Sequence, residues 1–302
     1  MIAFLFLVLQ TWPKAEVRLD EPPTIAELDA LKARGINTIG LPARKGLEPL
    51  FNRGVTLHLV LGADSKEMVA LYAKQKGILW SIPAEGTDAE QRARAAEIKT
   101  HPVSVTRKCL VADDLQIWPH LGVKEFGWIS VAPSEEPAFS VWANREKSEA
   151  MAHPLPVCVD GVVVEAAGLK FRSQVLYPVY LSGGGLGIRV AKGAEAAIDD
   201  LGRACRLVSA LPSAEMTPQN GLLSDLSGNY CFAKSEHTYA IYLAKGGEVS
   251  LDLKAATGKF KATWHDVRTG KTAAGPELAG GDWKSLGKPA FPDDVAAVVV
   301  QN

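Results

Sequence analysis

The chain lacks several features that would place it in a common class of protein. Its 33 basic and 34 acidic residues give a formal net charge of -1, so charge alone predicts neither a nucleic-acid nor an anionic-membrane partner. No Gly-x-Gly-x-x-Gly motif follows the first predicted strand, which argues against a dinucleotide-binding open sheet, and no cofactor is predicted. The cysteines are widely spaced, without a Cys-x-x-Cys pair or a neighbouring histidine, and predict no metal site. We interpret them as buried thiols and leave a disulfide open; they are Cys109, Cys158, Cys205 and Cys231.

The longest apolar block at the amino end covers residues 2–9 and is too short to span a bilayer. It has the length of a signal-peptide core, so we predict a signal peptide over residues 1–15, cleaved after Ala15, and a secreted or periplasmic protein. No Lys or Arg precedes the block, and Pro13 stands where a small residue is usual. A first strand and a misplaced start codon remain the alternatives.

Residues 16–212 alternate short β-type runs with amphipathic, helix-like segments. About eight such units imply a parallel sheet, and eight units favour its closure. We therefore predict an α/β fold, a compact (β/α)8 TIM barrel, with a doubly wound open sheet as the alternative. The predicted strands include residues 36–41, 55–61, 78–82, 103–106, 126–131, 156–160 and 185–190.

After Pro212 the pattern changes to short alternating runs separated by turn signals such as Gly246-Gly247. This spacing predicts a small antiparallel β-sandwich over residues 213–302. We expect the apolar junction residues Leu222, Leu223 and Leu226 to bury against the last barrel helix.

One acidic residue stands where a barrel enzyme would place its chemistry. The run at residues 78–82 is followed by Glu85, and the carboxyl ends of barrel strands carry catalytic groups. Glu85 is therefore the candidate proton donor of a sugar-cleaving site, with a solvated loop residue as the alternative. The run at residues 156–160 ends in Asp160, the candidate second carboxylate.

Three sequence elements near the carboxyl end resemble those of a known family. Residues 228–233 (GNYCFA), 239–243 (YAIYL) and 264–270 (WHDVRTG) resemble the GYCLA, YxVYL and WxDPRTG elements of the "putative collagen-binding domain of a collagenase". This domain follows glycoside-hydrolase-like barrels of the apiosidase-like group, which residues 78–92 and 175–184 also resemble. The resemblance implies a (β/α) barrel acting on polysaccharide. Where that family carries Asp-Glu on strand seven, this chain carries Asp160-Gly161, so the catalytic pair is incomplete and activity is left uncertain.

Four further residues are candidates for binding substrate at the same mouth: Asp20, Glu21, Trp118 and Glu165. Trp118 offers an aromatic face on which a sugar ring can stack, and Glu165 could reach back from the loop after Asp160. Between Asp160 and Glu165 we rank Asp160 first, because it lies nearer the end of the strand. We predict a secreted glycoside-hydrolase-like protein that acts on or binds polysaccharide. The alternative is a non-catalytic glycan-binding or surface adhesion protein; the oligomeric state is left open.

Overall fold

A computed structural model describes residues 14–62, 65–82, 93, 98, 103–107, 126–131, 133–149 and 156–302. Eight strands in the first two thirds of the chain form one parallel sheet. They are β1 (Ala15–Arg18), β2 (Thr38–Pro42), β3 (Thr56–Val60), β4 (Ile78–Ile82), β5 (Val103–Arg107), β6 (Phe126–Val131), β7 (Val157–Val164) and β8 (Gly185–Val190).

A helix or a helical turn follows each strand whose connection is described. The helices are α1 (Ile25–Ala33), α2 (Ser65–Tyr72), α3 (Pro137–Glu149), α4 (Leu169–Phe171), α5 (Tyr177–Leu181) and α6 (Ala196–Ser209), with a 3-10 turn at Glu48–Leu50 and a π-helical turn at Arg172–Leu176 between α4 and α5. Thr24 and Glu27 form a reciprocal capping box that begins α1. No helix among the described ranges is both long and apolar enough to cross a membrane.

The parallel sheet curls until its first and last strands meet. Each strand pairs with the next in chain order, and β1 also pairs with β8, with Glu16 opposite Gly187. The connections after β4 and β5 fall largely outside the described residues. The structure therefore shows a curled parallel sheet with helices, and a complete (β/α)8 repeat stays a prediction.

The carboxyl-terminal part is antiparallel. Eight strands form it: β9 (Thr217–Pro218), β10 (Asn229–Lys234), β11 (Thr238–Leu243), β12 (Ser250–Asp252), β13 (Lys259–His265), β14 (Thr272–Ala279), β15 (Trp283–Ser285) and β16 (Val295–Gln301). Six of them make a sheet in the order β14-β13-β16-β11-β10-β9, and β12 pairs with β15. Leu251 of β12 shares one buried cluster with Phe260 and Trp264 of β13, so both sheets contribute to the same core.

The two parts share buried contacts. The rings of Tyr177 and Tyr242 stack with centroids 4.4 Å apart. The guanidinium of Arg172 donates to both carboxylate oxygens of Asp294, at 2.7 and 2.8 Å, and Tyr242 donates to the same carboxylate at 2.9 Å. Asp200 of α6 lies 3.3 Å from Arg172 Nη1. Residues of both parts therefore belong to one packed unit.

The junction leucines do not lie where we expected. Leu223 is buried, but in the core of the antiparallel sheets, and Leu222 packs against that same core. Leu226 is 59% exposed. The expectation that all three cover the last barrel helix is wrong, because Leu223 bridges to Leu251 of β12 and draws this segment toward the carboxyl-terminal core.

Candidate functional site

The interior of the curled sheet carries charged side chains where barrels usually carry branched apolar ones. Along the first strand the side chains alternate between the two faces of the sheet. Ala15 and Val17 pack into the apolar core on one face, and Lys14, Glu16 and Arg18 lie on the opposite face, inside the curled sheet. His58 of β3 and Asp160 of β7 meet them there. These five side chains, which we call the interior charge cluster, join the first, third and seventh strands.

Short contacts hold the interior charge cluster together. Lys14 Nζ lies 2.6 Å from Glu16 Oε2 and 2.7 Å from Asp160 Oδ1. Arg18 Nε donates to Glu16 Oε1 at 2.7 Å, and Arg18 Nη2 lies 3.5 Å from Asp160 Oδ2. His58 Nδ1 lies 2.7 Å from Glu16 Oε2, and Ser130 donates to Asp160. Two cations therefore balance two carboxylates, as a buried set of charges requires.

Two glycines leave the space that these carboxylates fill. A Cβ at Gly40 of β2 would clash with Glu16 Oε1, and one at Gly187 of β8 would lie 2.6 Å from Asp160 Oδ1. In the strand register Gly187 pairs with Glu16 and with Asp160, and Gly40 pairs with Arg18 and with His58. The neighbouring strands are thus built to accept acidic side chains inside the sheet.

The environment fixes the protonation states of the cluster. Burial alone would raise the pKa of Glu16, but His58, Lys14 and Arg18 hold it well below its ordinary value. Burial also disfavours the charged form of Asp160, yet Lys14 and Arg18 lower the pKa of that carboxyl. The pKa of Lys14 is raised, because its two carboxylates outweigh the burial that would lower it. Burial lowers the pKa of His58, so the neutral ring donates its Nδ1–H to Glu16.

Glu16, His58 and Asp160 could supply ligand atoms to a metal ion, since these atoms lie within 4.8 Å of one another. The ammonium group of Lys14 stands among them, within 3.3 Å of all three side chains. A cation of the chain itself thus takes the place that a metal would need. The expectation that no metal takes part remains a prediction.

Asp160 does not occupy the position that we expected. It is the fourth residue of an eight-residue strand, and its side chain is buried rather than turned to the open mouth. The strand continues because Gly161, with φ of 82°, forms a bulge that shifts the register against β8 between Asp160 and Val162. Glu165, exposed and directly after Val164, is the acid nearer the strand end, so the reason for which we ranked Asp160 first does not hold, and the roles of both residues stay predictions.

The other candidates spread over the mouth or fall outside the described residues. Asp20 is exposed and pairs with Arg189 of β8 at 2.5 Å, while exposed Glu21 pairs with Arg44. Arg44 also donates to the backbone carbonyl of Asp20, so the structure brings these two acids together through one cation. Glu85 and Trp118 lie outside the described residues.

Sequence reasoning missed most of the interior charge cluster. The available signal was the Lys14-x-Glu16-x-Arg18 alternation, in which charges recur with the period of a strand while Ala15 and Val17 form the other face. The His58 ring is fully buried, which suits a structural histidine. Cys158, Cys205 and Cys231 are buried free thiols, as expected; Cys109 lies outside the described ranges.

Comparisons with known proteins agree with the two-part fold. Residues 218–294 match the family model described as "Putative collagen-binding domain of a collagenase". No protein with a curated description is significantly similar to the chain. Several solved structures share the fold, and three of them illustrate it. A "Glycoside hydrolase" has a TM-score of 0.72 at 14% identity, with 95% of this chain and 92% of that chain covered.

A glycoside hydrolase family 5 protein from Bacteroides vulgatus has a TM-score of 0.75 at 14% identity, with coverage of 96% and 86%. A noncanonic maltogenic alpha-amylase from Thermotoga neapolitana has a TM-score of 0.56 at 9% identity, with coverage of 96% and 99%. Identities this low establish a shared fold and not a shared reaction. The chain therefore has a glycoside-hydrolase-like fold whose residues 218–294 resemble the collagen-binding domain family.

Proposed function

We propose that the protein is a secreted glycan-binding protein built on a glycoside-hydrolase scaffold, with a (β/α)8 barrel and a β-sandwich. The polysaccharide binds at the carboxyl ends of the barrel strands, near Arg18, Glu165 and Glu85. Membership of the apiosidase-like group is part of this proposal and is supported by the sequence elements at residues 228–233 and 264–270. The single observation that carries it is the buried, charge-neutralised state of Asp160.

Hydrolysis of a glycosidic bond requires two carboxyl groups, one of them protonated, on either side of the bond. Glu16 and Asp160 offer oxygens within 4.8 Å of each other, close to the separation of about 5 Å that retaining enzymes use. Both side chains are buried, both have lowered pKa values, and Lys14 lies between them. Neither can donate a proton to a sugar, so this pair supports the structure and not the cleavage.

Two observations favour other functions. Glu165 is exposed and follows the carboxyl end of β7, so a pair formed with Glu85 would restore a hydrolase. The match of residues 218–294 to the collagen-binding family would instead suit a surface adhesion protein.

The test measures binding and cleavage on the same polysaccharides. The full chain is titrated with soluble plant and microbial polysaccharides, and release of reducing ends is followed in parallel. We expect binding without release, and we expect Glu85→Gln and Glu165→Gln to leave release at zero. Glu277→Gln, an exposed change on β14, is the matched control. Release by the parent protein that disappears in both Glu85→Gln and Glu165→Gln would establish a hydrolase and refute the proposal.

A further inference from the structure

A groove of about 950 Å³ lies outside the barrel interior, between α3, the helical residues 169–181 and the antiparallel sheet. One wall comes from the barrel helices and the other from β10 and the loops beside it. Its volume falls within the usual range for sites that bind small molecules or short stretches of polymer. Of the candidate residues at the barrel mouth that the structure describes, none lines this groove.

Aromatic rings line both sides of this interdomain groove. Phe139 and Trp142 lie one turn apart on α3, with ring centroids 5.7 Å apart, and each is 39% exposed. Tyr230 of β10 faces the groove from the sheet and is half-buried. Two neighbouring aromatic residues left this exposed form a surface on which a flat, weakly polar face can stack.

Polar side chains complete the lining. Glu135 and Glu136 precede α3, and Gln174 lies on the π-helical turn. Asn220 Oδ1 accepts the backbone N–H of Cys231 at 2.8 Å, which fixes the orientation of that amide. Burial and the nearby charge of Glu136 raise the pKa of Tyr230, so its phenol stays protonated and can donate a hydrogen bond.

We propose that the interdomain groove is a second saccharide-binding site, specific for a neutral polysaccharide. A sugar ring has an apolar C–H face, suited to Trp142 and Phe139, and an edge of hydroxyl groups, suited to carboxylate and amide acceptors. Among the described lining residues, Glu135 and Glu136 carry two negative charges against one positive charge on Lys245, so the groove should repel uronic acids.

Topology connects the groove to the barrel mouth. Glu135 and Glu136 belong to the segment between β6 and α3, at the edge where parallel strands end. We expect a polymer that leaves the mouth across this edge to meet the groove at Glu135 and Glu136. The inference rests on the proposed function only in that both sites take polysaccharide; the residues involved are different.

The test compares Trp142→Ala with Trp283→Ala, a partly exposed tryptophan outside the groove. The full-length proteins are titrated with xylan, mixed-linkage β-glucan, polygalacturonate and a triple-helical collagen-like peptide. We expect Trp142→Ala to weaken binding of a neutral polysaccharide roughly three- to tenfold, the size of a typical aromatic contribution. Trp142→Phe should retain part of the affinity for the neutral polysaccharide, and Trp283→Ala should retain all of it. Of the three polysaccharides, polygalacturonate should bind most weakly. Thermal unfolding confirms that each variant is folded.

The other outcomes separate the two proposals. Binding by the parent protein that Trp142→Ala leaves unchanged would overturn the groove and leave the barrel-mouth function standing. A parent protein that binds no polysaccharide would overturn both. If the protein binds the collagen-like peptide through Trp142 and binds no neutral polysaccharide, the ligand class proposed for the groove is wrong.

Discussion

Lys14 balances the charges inside the sheet. Its ammonium group contacts Glu16 and Asp160 on strands 144 residues apart in sequence, and all three side chains are at most 4% exposed. Removing one partner of a buried ionic set leaves the remaining charges without compensation, which costs far more than losing a surface pair.

Lys14→Met tests this role. We expect a loss of about 3–5 kcal/mol in the free energy of unfolding, because two buried carboxylates lose their shared counter-ion. Urea unfolding measures the change. Lys32→Met is the matched control, since Lys32 is 35% exposed and lies 3.7 Å from exposed Asp29, and it should cost about 1 kcal/mol or less. Equal losses of unfolding free energy in Lys14→Met and Lys32→Met would show that Lys14 is not the essential counter-ion of the buried carboxylates.

The cluster also sets the response to pH. The folded pKa values of Glu16 and Asp160 are lower than their ordinary values of 4.5 and 3.8. Their stabilisation is therefore fully present above those values and is lost as the pH falls through the folded pKa values. Lys14 has a raised pKa, so its contribution is complete below 10.5 and is lost only at higher pH.

We expect the cluster's contribution to the free energy of unfolding to be constant between about pH 7 and 8 and to decrease as the pH falls below 6.5, where His58 takes up a proton more readily in the unfolded chain. A further decrease should follow below about pH 4, where the two carboxylates are protonated in the unfolded chain. Urea unfolding at several pH values measures it. Asp160→Asn should reduce the loss of unfolding free energy at acidic pH, whereas Asp29→Asn, at an exposed position, should leave that loss unchanged. An equal loss in the parent protein and in Asp160→Asn would show that the Asp160 carboxylate does not cause the acid destabilisation.

At the scale of elements, the bulge in β7 explains why a glycine, Gly161, stands where a second catalytic acid was expected. Gly161 has φ of 82°, a conformation that side chains with a Cβ rarely adopt, and the bulge separates buried Asp160 from Val162. A Glu at this position would need a different local backbone.

Gly161→Glu should therefore cost about 1–3 kcal/mol of stability and create no hydrolase. Urea unfolding and reducing-end release measure the two effects. Gly62→Glu is the matched control, because no described residue lies within 4 Å of a Cβ added at Gly62, and its φ is not positive. If Gly161→Glu has the stability of the parent protein, the backbone at this position is not strained by a side chain. If it releases reducing ends, the missing acid alone explains the lack of hydrolysis.

Periodicity predicted several elements well and others not at all. The bounds of β4 and β8 agree with the prediction, because their apolar runs end at clear turn signals. β7 was predicted to end at Asp160, since one sequence does not distinguish a bulge glycine from a terminating one. β14 was missed: its small residues and Pro276 depend on pairing with β13. The interior charge cluster depends on contacts between distant strands, which local pattern does not reveal.

At the scale of the whole molecule, the buried Arg172–Asp294 pair ties the parallel part to the antiparallel part. Contacts of this kind, together with the stacked Tyr177 and Tyr242, make separate unfolding of the two parts unfavourable.

We expect one cooperative unfolding transition for the full chain, and a loss of about 3–5 kcal/mol in Arg172→Met, which leaves Asp294 buried without its guanidinium. Calorimetry measures both. Arg189→Met, at a guanidinium 45% exposed, should cost about 1 kcal/mol or less. Two separate transitions in the parent protein would show that the parts fold independently.

The position of Lys14, directly before β1, makes the point of any leader cleavage matter for the folded core. A peptidase that cut after Ala15 would delete both the central ammonium group and a residue of β1 whose backbone N–H donates to Asn37 Oδ1 at 3.0 Å. The curled sheet would then have to form around a new α-ammonium group on Glu16. A cut upstream of Lys14 would leave the Lys14 ammonium group and all of β1 in place. If the protein is exported, the first residue of the mature chain would therefore show whether Lys14 still lies inside the sheet.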